Sequence, residues 1–138
     1  MCQSSSACIA DSEATRQGNI YIVLCASGFD FPQRMRSALM FASLAASAEM
    51  HAVLYCVQNA VDVMVKGSIE KNEAPEPGCP TLLSRLQEAM DLGVHIQCCT
   101  QTMNNRGVGA ADLIDGVEPA GAMSLIGLTS KATGSICF

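Results

Sequence analysis

The sequence predicts a single α/β domain built on a mostly parallel sheet with helices on both faces. Three observations predict it. Short apolar runs rich in β-branched residues (NIYIVLCAS, HAVLYCV, VHIQCC) alternate with segments of helical period, the order that parallel strands joined by helical crossovers require. The length of 138 residues suits one domain, which at that size buries about two-thirds of its unfolded surface and needs no staples. Hydrophobic residues make up 49% of the chain and charged residues 15%, with mean hydropathy +0.27. That is more apolar surface than a soluble monomer needs, so some of it is expected between subunits.

The elements follow in order. Residues 1–18 read as a polar tail with Cys2 and Cys8 as passengers, and residues 19–138 as the domain. NIYIVLCAS is a buried strand ended by Gly28. Asp30 with Gln33 three residues later marks a helix start, with Pro32 in its permissive first turn. Met35, Ala38, Leu39, Ala42, Ala45 and Ala46 then form one apolar stripe, rich in the alanines that close packing on a sheet favours. HAVLYCV is the second strand. A short helix capped by Asn59 follows and stops at Lys66 and Gly67. SIEKNEAPEPGC reads as a surface loop, and Pro80 as the start of the next helix, which ends at Gly93. VHIQCC is the third strand. Short helical turns at TQTMNNRG and AADLIDG follow, and AGAM, SLIGLTSKA and GSICF read as strand, helix and strand.

Composition narrows the function. A net charge of −5 argues against a nucleic-acid partner, whose phosphates want a basic face. No apolar run approaches the ~18 residues of a membrane span. The eight cysteines are not read as a disulfide framework, because no apolar signal core precedes them and a cytoplasmic setting is expected. Nor do they show zinc-ligand spacing. The ASGFD loop lacks the glycine patterns of nucleotide sites, so no cofactor is expected. The acidic residues are scattered singly, without the pairing that marks acid–base hydrolysis.

The thiols remain. In open parallel sheets function gathers at the carboxyl ends of the strands, and here those ends are Cys25, Cys56 and the pair Cys98-Cys99. Cys99 closes the third strand before Thr100 and a short helix, where free N–H groups and the helix dipole favour thiolate. Its bland alternative is a small buried hydrophobe. Cys98 points to the opposite face and reads as core. Cys79, at the end of a polar loop before Pro80, is read as a helix N-cap thiol or as an incidental loop residue. Cys25, Cys56 and Cys137 read as core. His51 and His95 read as structural, a Cys–His pair being possible only through the fold.

The segment GVHIQCCTQTMNNRGVGAADLIDGVEPAG resembles the active-site region of the DsrE/DsrF-like sulfur-relay family, whose members commonly run G-V-x-I-x-x-C-x-x-[ST]-M, then a Gly-Val/Ile, and then x-x-[ED]-L-I-x-G-V. The matching residues are Gly93, Val94, Ile96, Cys99, Thr102, Met103, Gly107, Val108, Leu113, Ile114, Gly116 and Val117. RSALMFASLAASAEMHAVLYCVQNAV, with His51 in the matching place, and GSICF extend the resemblance over residues 19–138. Gln101, Asn104 and Cys98 depart from the most similar-looking subgroup. The resemblance implies a three-layer α/β/α fold with five mainly parallel strands, assembly into trimers, hexamers or hetero-oligomers, and a cysteine that holds sulfane sulfur as a persulfide. Only Cys99 falls on the sulfur-bearing position. Cys79 falls, more loosely, where some relatives carry a second cysteine. The implied function is a sulfur carrier or sulfurtransferase working between donor and acceptor proteins. Three other readings stay open: a non-catalytic scaffold subunit, a thiol redox sensor using Cys99 and Cys79, and a flavodoxin-like nucleotide module.

Overall fold

The computed structural model describes residues 19–138; the tail expected over residues 1–18 lies outside the described residues. Strand β1 (Ile20–Cys25) leads into α1 (Pro32–Ser47) and β2 (His51–Cys56). Two short helices, α2 (Asn59–Val63) and α3 (Ser68–Asn72), precede α4 (Leu82–Asp91) and β3 (His95–Cys99). Then come α5 (Thr100–Arg106), a 3-10 turn (Ala110–Asp112), β4 (Val117–Ala120), α6 (Ala122–Lys131) and β5 (Gly134–Cys137). All strand pairs are parallel, in the order β4-β3-β2-β1-β5. The α/β class and the five-stranded parallel sheet expected from the sequence are what the chain forms.

That order divides the helices between the faces. From β1 to β4 the chain steps one way across the sheet, and right-handed crossovers keep the intervening helices on one face. From β4 it returns across the whole sheet to β5, which carries α6 to the other. The packing agrees. The large core joins Val23, Leu54 and Ile96 of the strands to Met35, Leu39, Leu82 and Leu86 of α1 and α4. A second, small cluster joins Ile20, Ile22 and Val53 to Leu125, Leu128 and Ala132 of α6 and the residue after it. Met35 and Leu39 are fully buried, and each stabilises the fold by roughly 1.5–3 kcal/mol. On α6, by contrast, no residue is fully buried, and Met123 and Ile126 are 79% and 58% exposed.

Several boundaries differ from the sequence reading. Asp30 does not cap α1, whose N-cap is Phe31 with Pro32 first; its carboxylate accepts the Gly28 N–H at 2.8 Å. The stretch read wholly as loop contains α3, which follows Gly67 in the left-handed region and buries Ile69. Helix α4 starts at Leu82, two residues after Pro80. Its N-cap is Thr81, whose hydroxyl oxygen accepts the Ser84 N–H, so Cys79 is not a capping residue. The fourth strand is Val117–Ala120, not AGAM. Pro119 is accommodated inside it because β4 is at the sheet edge, where a missing N–H is tolerated. His95 opens β3 and is exposed.

Candidate functional site

The two-faced winding opens a crevice at one place. The connection leaving β3 stays on the α1–α5 face, whereas the one leaving β4 crosses to the α6 face. Neighbouring strands whose exits diverge leave a gap at their carboxyl ends, where open parallel sheets hold their sites. Cys99 is the last residue of β3 and pairs in register with Ala120, the last of β4. Gly121 follows directly, and a Cβ there would lie 4.0 Å from Thr100 Oγ1, so the walls nearly meet.

Alternation along β3 sends Cys98 and Cys99 to opposite faces. Cys98 joins the large core, level with Cys56 and, one strand further, Cys25. Cys99 shares its face with Tyr55 and Gln97, register partners on β2 and β3. It is the N-cap of α5 and 7% exposed. Burial pushes its thiol up, but hydrogen bonding more than offsets this. The Thr102 N–H, the Tyr55 hydroxyl, the Thr102 hydroxyl and the Gln101 N–H all favour the anion, and the net pKa lies below the usual thiol value.

The loop after β2 braces these donors. Thr102 Oγ1 accepts the Gln58 N–H at 3.3 Å. Gln58 holds φ 52°, ψ −129°, a region that costs a side-chain-bearing residue about 1–3 kcal/mol and recurs at functional sites. Arg106, in the last turn of α5, donates to Asp62 Oδ2 at 2.6 Å and to Asn59 Oδ1 at 2.9 Å. Behind the same loop, a Cβ on Gly28 would sit 2.0 Å from the Asn59 carbonyl oxygen. Only glycine fits that approach. Asp30 is held below the usual carboxylate range by the Gly28 N–H and then by the Asn59 side chain.

Cys79 is exposed, and its N–H donates to the Glu76 carbonyl oxygen. Its loop is tied to α1 and α4 rather than to β3. Arg36 reaches Glu73 and Glu76, and Glu73 accepts the Leu82 N–H at 2.7 Å. The two candidate cysteines therefore stand on separately anchored segments. The histidines meet each other instead of a cysteine: the His51 and His95 rings lie 4.6 Å apart at the amino ends of β2 and β3. That is four residues, about 13 Å, along the strand from Cys99. Among the described residues no group of three or more His, Cys, Asp or Glu is placed to hold a metal ion, and no helix is long and apolar enough to cross a membrane.

Tyr55 was the residue not singled out from the sequence. Its signal was there: a hydroxyl inside an otherwise apolar strand must find a partner when buried. That the partner region would be the end of β3 depended on the strand order.

The DsrE/DsrF-like family model matches residues 19–138. The chain belongs to this family. Members of the family generally work in sulfur relay. Among solved structures the chain is similar to the ychN protein from E. coli, at TM-score 0.70 and 22% identity, over 87% of this chain and 98% of that one. It is also similar to BT1422 from Bacteroides thetaiotaomicron, a conserved protein of unknown function (TM-score 0.61, 13% identity, 89% and 97% covered). A third is MTH1491 from Methanobacterium thermoautotrophicum, likewise of unknown function (TM-score 0.58, 15% identity, 87% and 98% covered). At these identities the likeness is one of fold. No curated protein matches the chain.

Proposed function

We propose that this DsrE-family protein is a sulfur carrier in which Cys99 accepts sulfane sulfur as a persulfide and passes it to a partner protein. The observation that carries the reading is the place of Cys99, at the carboxyl end of β3 beside β4 and at the start of α5, where nearby N–H groups and hydroxyls favour its anion. They lower the energy of the thiolate, which is both the nucleophile of sulfur uptake and the leaving group of sulfur release. In uptake, the Cys99 thiolate attacks the outer sulfur of a donor persulfide, polysulfide or thiosulfonate. A Cys99 S–S bond forms, the donor's bond to that sulfur breaks, and the donor leaves with the electron pair. In release, an acceptor thiolate attacks the same outer sulfur and the Cys99 thiolate departs. No external oxidant or reductant is consumed.

Exposed Cys79 is a second sulfur stop, reached through a donor or acceptor protein that spans the two segments. The working unit is residues 19–138, acting in the cytoplasm, where thiols stay reduced. It assembles as a homo-oligomer, trimer or hexamer, or with related subunits. Three features support assembly: one short helix on the second face of an all-parallel sheet, the outward Met123 and Ile126, and Gln97 Oε1, which is buried without a partner among the described residues. Light scattering on the purified chain decides this, a monomer at micromolar concentration overturning it.

Intact-protein mass spectrometry after polysulfide treatment tests the carrier reading on the wild type, Cys99→Ser and Cys79→Ser. Whole added sulfur atoms, lost on reduction and absent from Cys99→Ser, are the expected result. Loading that survives Cys99→Ser and vanishes in Cys79→Ser moves the site. A folded wild type that takes up no sulfur leaves a scaffold subunit, the reading that the slight exposure of Cys99 favours.

A further inference from the structure

Tyr55 is 1% exposed and among the largest fully buried side chains of the chain. Its ring lies on the face that carries Cys99, and its hydroxyl donates to the Ala120 carbonyl oxygen at 2.9 Å. Ala120 is the register partner of Cys99. One phenolic proton therefore stands at the end of β3 and β4 with two acceptors in reach, a fixed carbonyl and a sulfur whose charge changes. A hydroxyl has one proton to donate and lone pairs with which to accept. Beside a neutral thiol it donates its hydrogen bond to the Ala120 carbonyl oxygen and can accept the S–H. Beside a thiolate, the charged acceptor is the stronger partner.

We propose that the Tyr55 hydroxyl is a catalytic group of this site, a hydrogen-bond donor that alternates between the Ala120 carbonyl oxygen and the Cys99 sulfur and turns to the sulfur when that atom is anionic. The inference rests on the carrier reading for its purpose, though not for its test. Once sulfur is loaded, the negative charge moves to the outer atom of the persulfide and the inner sulfur is a weak acceptor. The hydroxyl then donates to the Ala120 carbonyl oxygen again. The switch thus favours the two moments at which charge sits on Cys99 itself, attack on the donor and departure toward the acceptor. No proton leaves Tyr55. Burial, and then its contact with Cys99, push its own pKa well above the usual phenol value, so it stays a donor throughout the range of thiol chemistry.

The experiment follows iodoacetamide labelling of Cys99 against pH, read by peptide mass spectrometry, in three proteins: wild type, Tyr55→Phe, and full-length chain with 3-fluorotyrosine at position 55. Phenylalanine keeps the ring and removes the donor. The labelling midpoint should rise by about one pH unit, a roughly tenfold loss of thiolate at neutral pH. Fluorination keeps the shape and strengthens the donor, so its midpoint should fall below that of the wild type. A midpoint unchanged in folded Tyr55→Phe overturns the proposal. If leaving Ala120 unpaired prevents that variant from folding, the fluorinated protein decides, and a midpoint that is unmoved or raised overturns it equally. Since labelling uses no sulfur donor, a wild type that fails to load with polysulfide removes the carrier reading and leaves this result standing. A wild type that loads while the midpoints coincide does the reverse.

Discussion

Cysteines stand on both faces of the sheet at the same end, and their surroundings differ almost completely. On one face, Cys25, Cys56 and Cys98 form a row across β1, β2 and β3, fully buried. Burial raises the Cys25 thiol, and Cys56 is pushed well up by its hydrogen bond with Cys98 and by burial. On the other face stands Cys99, also largely enclosed, whose pKa falls. Burial alone therefore does not separate an inert thiol from a reactive one. The donors that accompany burial do: the core row has other thiols and a carbonyl for neighbours, whereas Cys99 has two N–H groups and two hydroxyls.

Labelling rates can break that contrast most directly. At neutral pH, Cys99 of the folded protein should react with iodoacetamide faster than Cys25, Cys56 or Cys98 by on the order of 100-fold or more, because the core thiols wait for an opening of the structure. A core cysteine labelled at the Cys99 rate would undo the comparison. The same contrast assigns stability to one face and chemistry to the other. Cys56→Ala or Cys98→Ala should destabilise the fold by about 1–2 kcal/mol in urea titrations and leave the Cys99 labelling midpoint in place.

A smaller effect sharpens the role of the donors. Thr102→Val removes one hydroxyl from Cys99 and leaves the Gln58 N–H without its acceptor. We expect the labelling midpoint to rise by about half a pH unit, roughly a threefold loss of thiolate at neutral pH. An unchanged midpoint would reduce Thr102 to a brace for the loop. The smallest effect belongs to the far end of the strands. Burial, and then the neighbouring His95, lower the pKa of His51. A base held below its unfolded value of about 6.5 binds its proton more readily once unfolded. Stability is therefore complete above that value and declines as pH falls toward the folded pKa. The urea midpoint of the wild type should drop more between pH 7 and 5.5 than that of His51→Gln, and equal slopes would show the pair to be thermodynamically silent.

How far the sequence carries can be judged from the same residues. The buried strands were legible because Ile22, Val23, Val53 and Leu54 are apolar on both faces, as a covered parallel sheet requires. Cys99 was legible as a thiol at a strand-to-helix junction. The β3–β4 crevice was not, because it depends on which strands are neighbours, and β4 is four residues long with a proline inside it. Tyr55 stayed hidden for the same reason: its hydroxyl acts on residues 44 and 65 positions further along the chain. Short-range signals misled where a side chain had another use. Asp30 turned to Gly28 instead of capping α1, and Pro80 stood before a cap supplied by Thr81.

Gly121 is the joint between β4 and α6, one residue beyond the carbonyl that accepts the Tyr55 hydrogen bond. Helix α6 is also the thin cover of the second face, with Met123 and Ile126 turned outward. A neighbour seated on those side chains would act on an element that Gly121 joins directly to the Ala120 carbonyl. Drawing that oxygen away from Tyr55 would free the hydroxyl for Cys99, and pressing it closer would take the hydrogen bond back. The reactivity of the thiol would then depend on what is bound to α6, the helix on the same face of the sheet as Cys99.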